Sequence, residues 1–114
     1  MINYDEFAKL DIKIGTILSV EIVEGADKLL KLMVDTGESD EEGSKKPRQI
    51  ISGIREYFPE PEVLIGKQCP FLVNLEPRVI RGFESQGMIL AAGGEGTFAL
   101  LFPNTELAPG TKIR

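Results

Sequence analysis

The residues best suited to chemistry lie between Asn74 and Ala92, in the stretch NLEPRVIRGFESQGMILAA. Two arginines, Arg78 and Arg81, stand among small polar side chains and two glycines, and an apolar run begins at Met88. Arginine presents a planar, always-charged fork that matches phosphate oxygens. Cations, small polar groups and bare backbone beside a strand therefore favour a ligand that carries phosphates and presents bases, and we expect RNA.

Four other side chains are candidate contacts. Lys28 and Lys31 flank the second predicted strand, where an outward lysine commonly serves only solubility. Asn74 closes the fourth predicted strand, and whether it caps a turn or contacts RNA stays open at this point. Met88 also has two interpretations, because a methionine beside Ile89 is commonly part of a core. The two arginines are therefore the strongest candidates.

The chain lacks the groups on which most enzymes depend. It has no histidine, so it can form neither an imidazole base nor a Ser–His or Cys–His pair. One cysteine without histidine leaves no zinc site, and the phosphate-binding fingerprints GxxxxGKS/T and GxGxxG are missing. We therefore expect no catalytic activity, no cofactor and no metal ion.

Length and composition fit one globular domain, residues 1–114. Hydrophobic residues make up 42% of the chain and charged residues 27%, and no apolar run reaches the ~20 residues of a membrane span. The first residues, MINYDEFAK, lack the basic and apolar regions of a signal peptide. The single cysteine, Cys69, lies in an apolar run and is predicted to be buried. One unpaired cysteine fits a cytoplasmic protein.

The net charge of −5 argues against nucleic acid, because neutralising phosphates requires lysine and arginine. Five of the eighteen acidic residues, however, lie between Asp35 and Glu42, in a segment with the composition of a solvated loop. We expect the part from Glu38 to Glu42 to be dispensable for folding. The cations elsewhere can share one surface, and a small basic patch on an acidic body predicts modest, salt-sensitive affinity.

The hydrophobic pattern predicts an all-β barrel. Residues Ile12 to Ile22 place Ile, Thr, Leu and Val at every even position, which is the period of a long strand, and Gly15 allows it to bend. A short helix is predicted before it, and the remaining predicted strands follow it. These elements are the helix Tyr4–Lys9 and the strands Leu30–Asp35, Arg48–Ser52, Gln68–Leu75 and Gln86–Ala92. Five short strands with short helices match an OB-fold barrel over residues 10–93.

A further apolar segment follows the predicted barrel. The run TFALLF must be covered by the barrel or by a second copy of the chain. We expect residues 94–114 to form a C-terminal β extension at the interface of a homodimer. The predicted interface residues are Phe98, Leu100, Leu101 and Phe102.

Three blocks, in this order, carry a family resemblance: GADKLLKL from Gly25, ISGI from Ile51 and GFESQGMILAA from Gly82. Together they resemble the tRNA-binding domain at the C-terminus of many methionyl-tRNA synthetases, which also occurs as a freestanding tRNA-binding protein. The resemblance runs from about Phe7 to the C-terminus. It implies a closed, homodimeric OB-type barrel that binds tRNA by shape and phosphate contacts and catalyses nothing itself.

The resemblance also implies that Ser85 and Met88 contact RNA, since both match the binding motif of that family. It leaves open whether the chain is freestanding or part of a synthetase. One alternative is a chaperone with a similar dimeric barrel, which would expose an apolar groove for peptides. The other is a nucleotide-acting enzyme fragment, which the missing histidine and phosphate loops disfavour.

Overall fold

The computed structural model describes all 114 residues, and its regular secondary structure is mostly strand. The helices are α1 (Tyr4–Ala8) and two short 3₁₀ helices, Arg55–Tyr57 and Pro61–Leu64. The strands are β1 (Ile12–Ile22), β2 (Leu30–Asp35), β3 (Arg48–Ser52), β4 (Gln68–Leu72), β5 (Arg78–Ile80), β6 (Phe83–Ser85), β7 (Met88–Ile89), β8 (Ala91–Gly94) and β9 (Thr97–Leu100). None of the helices combines the length and apolar character that a membrane span requires.

The first half of the chain follows the predicted elements closely. Helix α1 ends one residue before its predicted end, and Asn3 caps it through a reciprocal pair of hydrogen bonds with Glu6. The first three strands have the predicted bounds. Local pattern is sufficient here because each strand is bounded by polar or glycine-rich turns.

Five strands form an antiparallel sheet in the order β3-β2-β1-β4-β7, which curls into a nearly closed barrel of the OB type. Strand β1 pairs with β4 through Ile12–Thr16 and with β2 through Thr16–Ile22. The two halves of this strand therefore belong to two sides of the barrel. The predicted OB-like barrel is confirmed.

Strand β1 does not keep one apolar face along its whole length. Its register against β2 shifts between Ile17 and Ser19, so that Leu18 is the extra residue of a bulge. Ile17 is fully buried, whereas Leu18 is 38% exposed and Ile22 is 52% exposed. The bulge shifts the side chains after Leu18 to the opposite faces of the strand, so the even positions do not share one face along the whole strand. The bulge also bends the strand.

The core lies inside the barrel. Its buried residues are Ile17, Leu30, Leu32, Val34, Ile50, Ile54, Leu64, Cys69, Phe71, Val73 and Ile89. Cys69 is buried as predicted, and burial raises the pKa of its thiol to about 11. The thiol is therefore protonated and unreactive at neutral pH.

The second half of the chain departs from the prediction. The fourth strand ends at Leu72 instead of Leu75, and the predicted fifth strand divides into β7 and β8. Gly87, at φ 148°, lies immediately before β7, which pairs with β4 for only two residues. The chain then leaves the barrel, and β8 pairs with β9. Strands β5 and β6 form a hairpin in the stretch between the fourth and fifth predicted strands, where the sequence predicts no strand.

The last residues return to the barrel. Backbone hydrogen bonds join Thr111 and Gly110 to Ile14, and the amide of Ile113 donates to the carbonyl of Ile12. The side chain of Gln68 holds both backbone groups of Leu107. The end of the C-terminal extension, residues 107–113, is thus fastened to its own β1 and β4.

Gly15 marks a point of close packing that can be tested. A Cβ there would lie 2.5 Å from Cγ1 of Val34 and 2.8 Å from Cδ1 of Phe71. Both neighbours are fully buried, so we expect Gly15→Ala to destabilise the fold by about 1–3 kcal/mol in urea unfolding. Gly94→Ala is the control, because nothing lies within 4 Å of its added methyl group. Equal stability of the two variants would show that packing at Gly15 does not constrain β1.

Candidate functional site

The β5–β6 hairpin is fastened to the edge strand β3. The amide of Ile51 donates to Oγ of Ser85 at 3.0 Å, and the side-chain amide of Gln49 donates to the carbonyl of Glu84 at 2.9 Å. The backbone of Gln86 continues the contact, because its amide donates to the carbonyl of Gln49 at 2.8 Å. The hairpin therefore stands on the barrel as a fixed projection.

A two-residue turn, Arg81–Gly82, forms the tip of the hairpin. Both residues have positive φ, 53° and 84°, which is the pattern of a type I′ turn. Such turns favour Asn or Gly at their first position, because a left-handed backbone costs other residues roughly 1–2 kcal/mol. Arg81 is the one non-glycine residue of the chain in this region of φ. The sequence places a cation where local energetics favours Asn or Gly.

Arg78 and Arg81 are both exposed, and neither forms an ion pair. Arg78, Ser85 and Met88 line one small cleft of about 40 Å³ beside the hairpin. The structure thus gathers three of the seven predicted contact residues at one cleft and a fourth, Arg81, at the adjoining tip. The charges of the two arginines are available to a ligand.

Lys31 reaches the same hairpin but is less available. Its Nζ lies 2.8 Å from a carboxylate oxygen of Glu21 and 4.9 Å from the centre of the Phe83 ring. It faces outward, as predicted, yet its side chain is only 21% exposed. Lys28 is exposed in the turn before β2 and forms no ion pair, but it does not line the cleft.

Ser85 and Met88 have different environments. Ser85 is 5% exposed, and its hydroxyl donates to the carbonyl of Gly87 at 3.0 Å while it accepts from Ile51. A ligand could use this hydroxyl only by displacing those partners. Met88 is 42% exposed, so the interpretation of Met88 as a core residue is wrong.

Asn74 connects two segments of the chain. Its side-chain oxygen accepts from the amide of Asp11 at 2.9 Å, and its side-chain nitrogen donates to the carbonyl of Lys9 at 2.7 Å. These bonds join the end of β4 to the segment between α1 and β1. The structure therefore gives Asn74 a structural role, and its predicted contact with RNA stays a prediction.

The sequence predicts that the acidic loop is solvated, but two of its carboxylates are buried or paired. Asp35 is 5% exposed, and both oxygens of the Glu38 carboxylate accept from Arg48, at 2.7 and 2.9 Å. The hydrogen bonds from Arg48 lower the pKa of Glu38 to about 2, and the same pairing raises the pKa of Arg48. The ion pair between Glu38 and Arg48 therefore stabilises the fold fully above the ordinary carboxyl pKa of 4.5, and this contribution is lost as pH falls towards 2. The expectation that Glu38 to Glu42 is dispensable for folding stays a prediction, and it leaves out the contacts of Glu38 with Arg48.

Nothing in the local pattern reveals this pair, since ten residues and a loop separate its members. Arg48 also donates through Nη1 to the carbonyls of Val73 and Gln86, at 2.8 Å each. A single arginine at the start of a strand reads as solvent-exposed in a sequence. Only the tertiary fold brings its four acceptors together.

The four predicted dimer-interface residues are unequally covered within the chain. Phe98 stacks on Tyr57 with ring centres 4.2 Å apart, and Leu100 packs against the core. Leu101 and Phe102 are 45% and 55% exposed, although Nζ of Lys67 lies 5.7 Å from the Phe102 ring. Leu101 and Phe102 are therefore available to a second copy of the chain, whereas Phe98 and Leu100 are partly covered by their own chain.

Comparison with known proteins identifies the family of the chain. A family model described as a putative tRNA binding domain matches residues 12–112. A methionine–tRNA ligase of Xanthomonas campestris pv. campestris (strain B100) is 47% identical over 114 residues, which are 99% of this chain and 16% of the relative. The chain thus spans about one sixth of the length of the curated relatives it matches.

Two solved structures share the fold over the whole chain. A MetRS related protein from Pyrococcus horikoshii has a TM-score of 0.87 and 36% identity, with 100% of this chain and 98% of that chain covered. The chaperone CsaA from Bacillus anthracis str. Ames has a TM-score of 0.83 and 35% identity, with 100% and 99% covered. By sequence and by fold, the chain belongs to the tRNA-binding domain family related to the C-terminal part of methionyl-tRNA synthetases.

Proposed function

We propose that this domain binds tRNA through the β5–β6 hairpin, without reading its sequence, as an accessory to methionyl-tRNA synthetase in the cytoplasm. The observation that carries the proposal is the unpaired Arg81 at the strained tip of a fixed hairpin. Strained backbone that persists in a folded protein is concentrated at functional positions. Arg78 stands on the same hairpin, so one projection presents two free cations.

Contacts with phosphates and with the shape of the RNA suit this surface better than base readout. Base-stacking platforms are scarce, because the chain has no tryptophan and 7% aromatic residues. Phe83, the aromatic residue of the hairpin, is half-buried beneath the ammonium of Lys31. Binding through backbone charge is indifferent to sequence and strongly dependent on salt.

The domain would act by raising the local concentration of tRNA. A weak second contact, joined covalently or by association to a catalytic domain, makes the main encounter effectively intramolecular. The chain corresponds to about 16% of the matched methionine–tRNA ligases, so catalysis is left to the remainder of such a protein. Modest affinity of the accessory domain is sufficient for this role.

A second candidate function is peptide binding, as in a chaperone. Two structural neighbours are described as CsaA chaperones, with TM-scores of 0.83 and 0.81. This chain also has an open groove of about 370 Å³ formed by residues 57–60 and Val63, in which Tyr57 and Val63 are about half exposed. The tRNA hypothesis is preferred because it accounts for the cations at the hairpin.

We further propose that two copies associate through the exposed pair Leu101 and Phe102. These side chains follow directly after the β8–β9 hairpin, and their exposure leaves apolar surface that a second copy would cover. A two-fold interface is the usual arrangement of such an association. It would place two β5–β6 hairpins on one particle, and we favour one tRNA bound per dimer.

The binding proposal predicts a specific loss in the variant Arg78→Ala/Arg81→Asn. Removing two phosphate contacts should weaken binding of bulk tRNA and reduce the slope of log affinity against log salt by roughly 1.4–1.8. The melting temperature should stay the same or rise, because Asn suits the first position of a type I′ turn. Fluorescence anisotropy at several salt concentrations measures the affinity, and circular dichroism measures the melting temperature.

The matched control is Lys9→Ala/Arg114→Ala, which removes two exposed cations outside the hairpin. Two unrelated tRNAs should bind the wild type with similar affinity, and an unfolded peptide should bind weakly. An equal loss of affinity in the control would show that tRNA binding depends on net charge and not on the hairpin. A hundredfold preference for one tRNA would show base readout, and preference for the peptide would favour the chaperone function.

The dimer proposal predicts a mass of about twice the 12.6 kDa of one chain in light scattering at micromolar concentration. Leu101→Lys/Phe102→Lys should give a folded monomer, because two charges cannot be buried unpaired at an interface. Ile2→Lys, at a residue that is 66% exposed at the N-terminus, should leave the mass unchanged. A wild-type monomer would contradict the proposed association.

A further inference from the structure

The hairpin belongs to an excursion whose two ends meet at one nitrogen atom. The chain leaves the barrel after Val73 and returns to it at Gln86, and Nη1 of Arg48 donates to both of those carbonyls at 2.8 Å. Residues 74–85 lie between these two points and include Arg78 and Arg81. The guanidinium of Arg48 therefore closes the base of the loop that carries the free cations.

The carboxylate of Glu38 fixes the direction of that guanidinium. It accepts from Nε and Nη2 of Arg48 at 2.7 and 2.9 Å, a fork-on-fork arrangement that leaves the group little rotational freedom. The hydroxyl of Thr36, which is 1% exposed, donates to the same carboxylate at 2.8 Å. A chain of oriented contacts thus runs from the end of β2 to both ends of the excursion.

The hairpin needs such support because of its size. It consists of two three-residue strands, and an isolated two-stranded hairpin is marginally stable at best. The contacts of Gln49 and Ile51 fasten its returning strand, β6, to the barrel. On the outgoing side, Arg48 at Val73 and the side chain of Asn74 hold the start of the excursion.

We propose that Glu38 and Arg48 are a positioning pair for the binding hairpin, holding Arg78 and Arg81 in the orientation that engages tRNA. The inference rests on the proposed function. It gives the carboxylate a role opposite to its charge: Glu38 repels phosphates by Coulomb interaction, yet it supports binding through the geometry of the hairpin. Loss of this one acidic residue should therefore weaken the binding of a polyanion.

The test compares Glu38→Gln with Glu42→Gln, each of which removes one negative charge from the same loop. Glu42 is exposed, and its side chain forms neither a hydrogen bond nor an ion pair. Glu38→Gln should weaken binding of bulk tRNA by about three- to tenfold, whereas Glu42→Gln should leave it unchanged or slightly tighter. If both variants bind tRNA equally or more tightly than the wild type, Glu38 acts only through its charge and the positioning role is wrong.

A double-mutant cycle separates positioning from general damage to the fold. In the Arg78→Ala/Arg81→Asn background, Glu38→Gln should cause no further loss of affinity, because the groups that it positions are absent. An equal loss in both backgrounds would overturn the inference. If Arg78→Ala/Arg81→Asn binds as well as the wild type, it is the proposed function that fails, and the two failures are thus distinguished.

Hydrogen exchange supplies a readout that is independent of tRNA. Glu38→Gln should speed amide exchange within residues 74–86 while protection of β1 and β2 is retained. Thr36→Val, which removes one hydrogen bond to the carboxylate and keeps the volume, should give a smaller effect of the same kind if Glu38→Gln is too unstable to assay. Unchanged exchange in residues 74–86 of both variants would show that the pair does not hold the hairpin.

Discussion

Strand β1 must pair with two different strands, and the missing side chain of Gly15 makes this possible. At this residue β1 faces Cys69 of β4, and one residue later it begins its pairing with β2. The core side chains Val34 and Phe71 occupy the space where a Cβ would stand. With β1 shared between two sides of the barrel, the curled sheet brings β3 and β7 near each other. The β5–β6 hairpin is attached where they meet.

The same contacts that hold the hairpin in place also help to close the barrel, so the position of the site depends on the stability of the barrel. Residues 85 and 86 hydrogen-bond to β3, so the segment that leads into β7 also helps to close the barrel. Arg81 nevertheless stands at the outer tip of the hairpin and Arg78 near its base, and neither forms an ion pair within the chain. The fold thus separates groups that hold the site from groups that can meet a ligand.

Local sequence information predicts the first half of this fold and fails in defined places in the second. The strands up to Ser52 follow from alternation and turns, whereas the single strand predicted from Gln86 to Ala92 is replaced by two strands, β7 and β8. The break depends on pairing partners that are distant in sequence, because β7 pairs with β4 and β8 pairs with β9. The free arginines are visible as residue types, but the buried state of Ser85 follows only from the docking of the hairpin.

The acidic composition of the chain is compatible with a tRNA-binding surface when the acids are considered one by one. Glu21, Glu38 and Asp35 each lie within ion-pair distance of a cation, so part of the negative charge is neutralised within the fold. Arg78 and Arg81 are left without such partners. A polyanion approaching the hairpin would therefore meet two unpaired cations on a chain whose net charge is −5. This arrangement favours an affinity that is useful only when another domain or chain contributes to holding the same RNA.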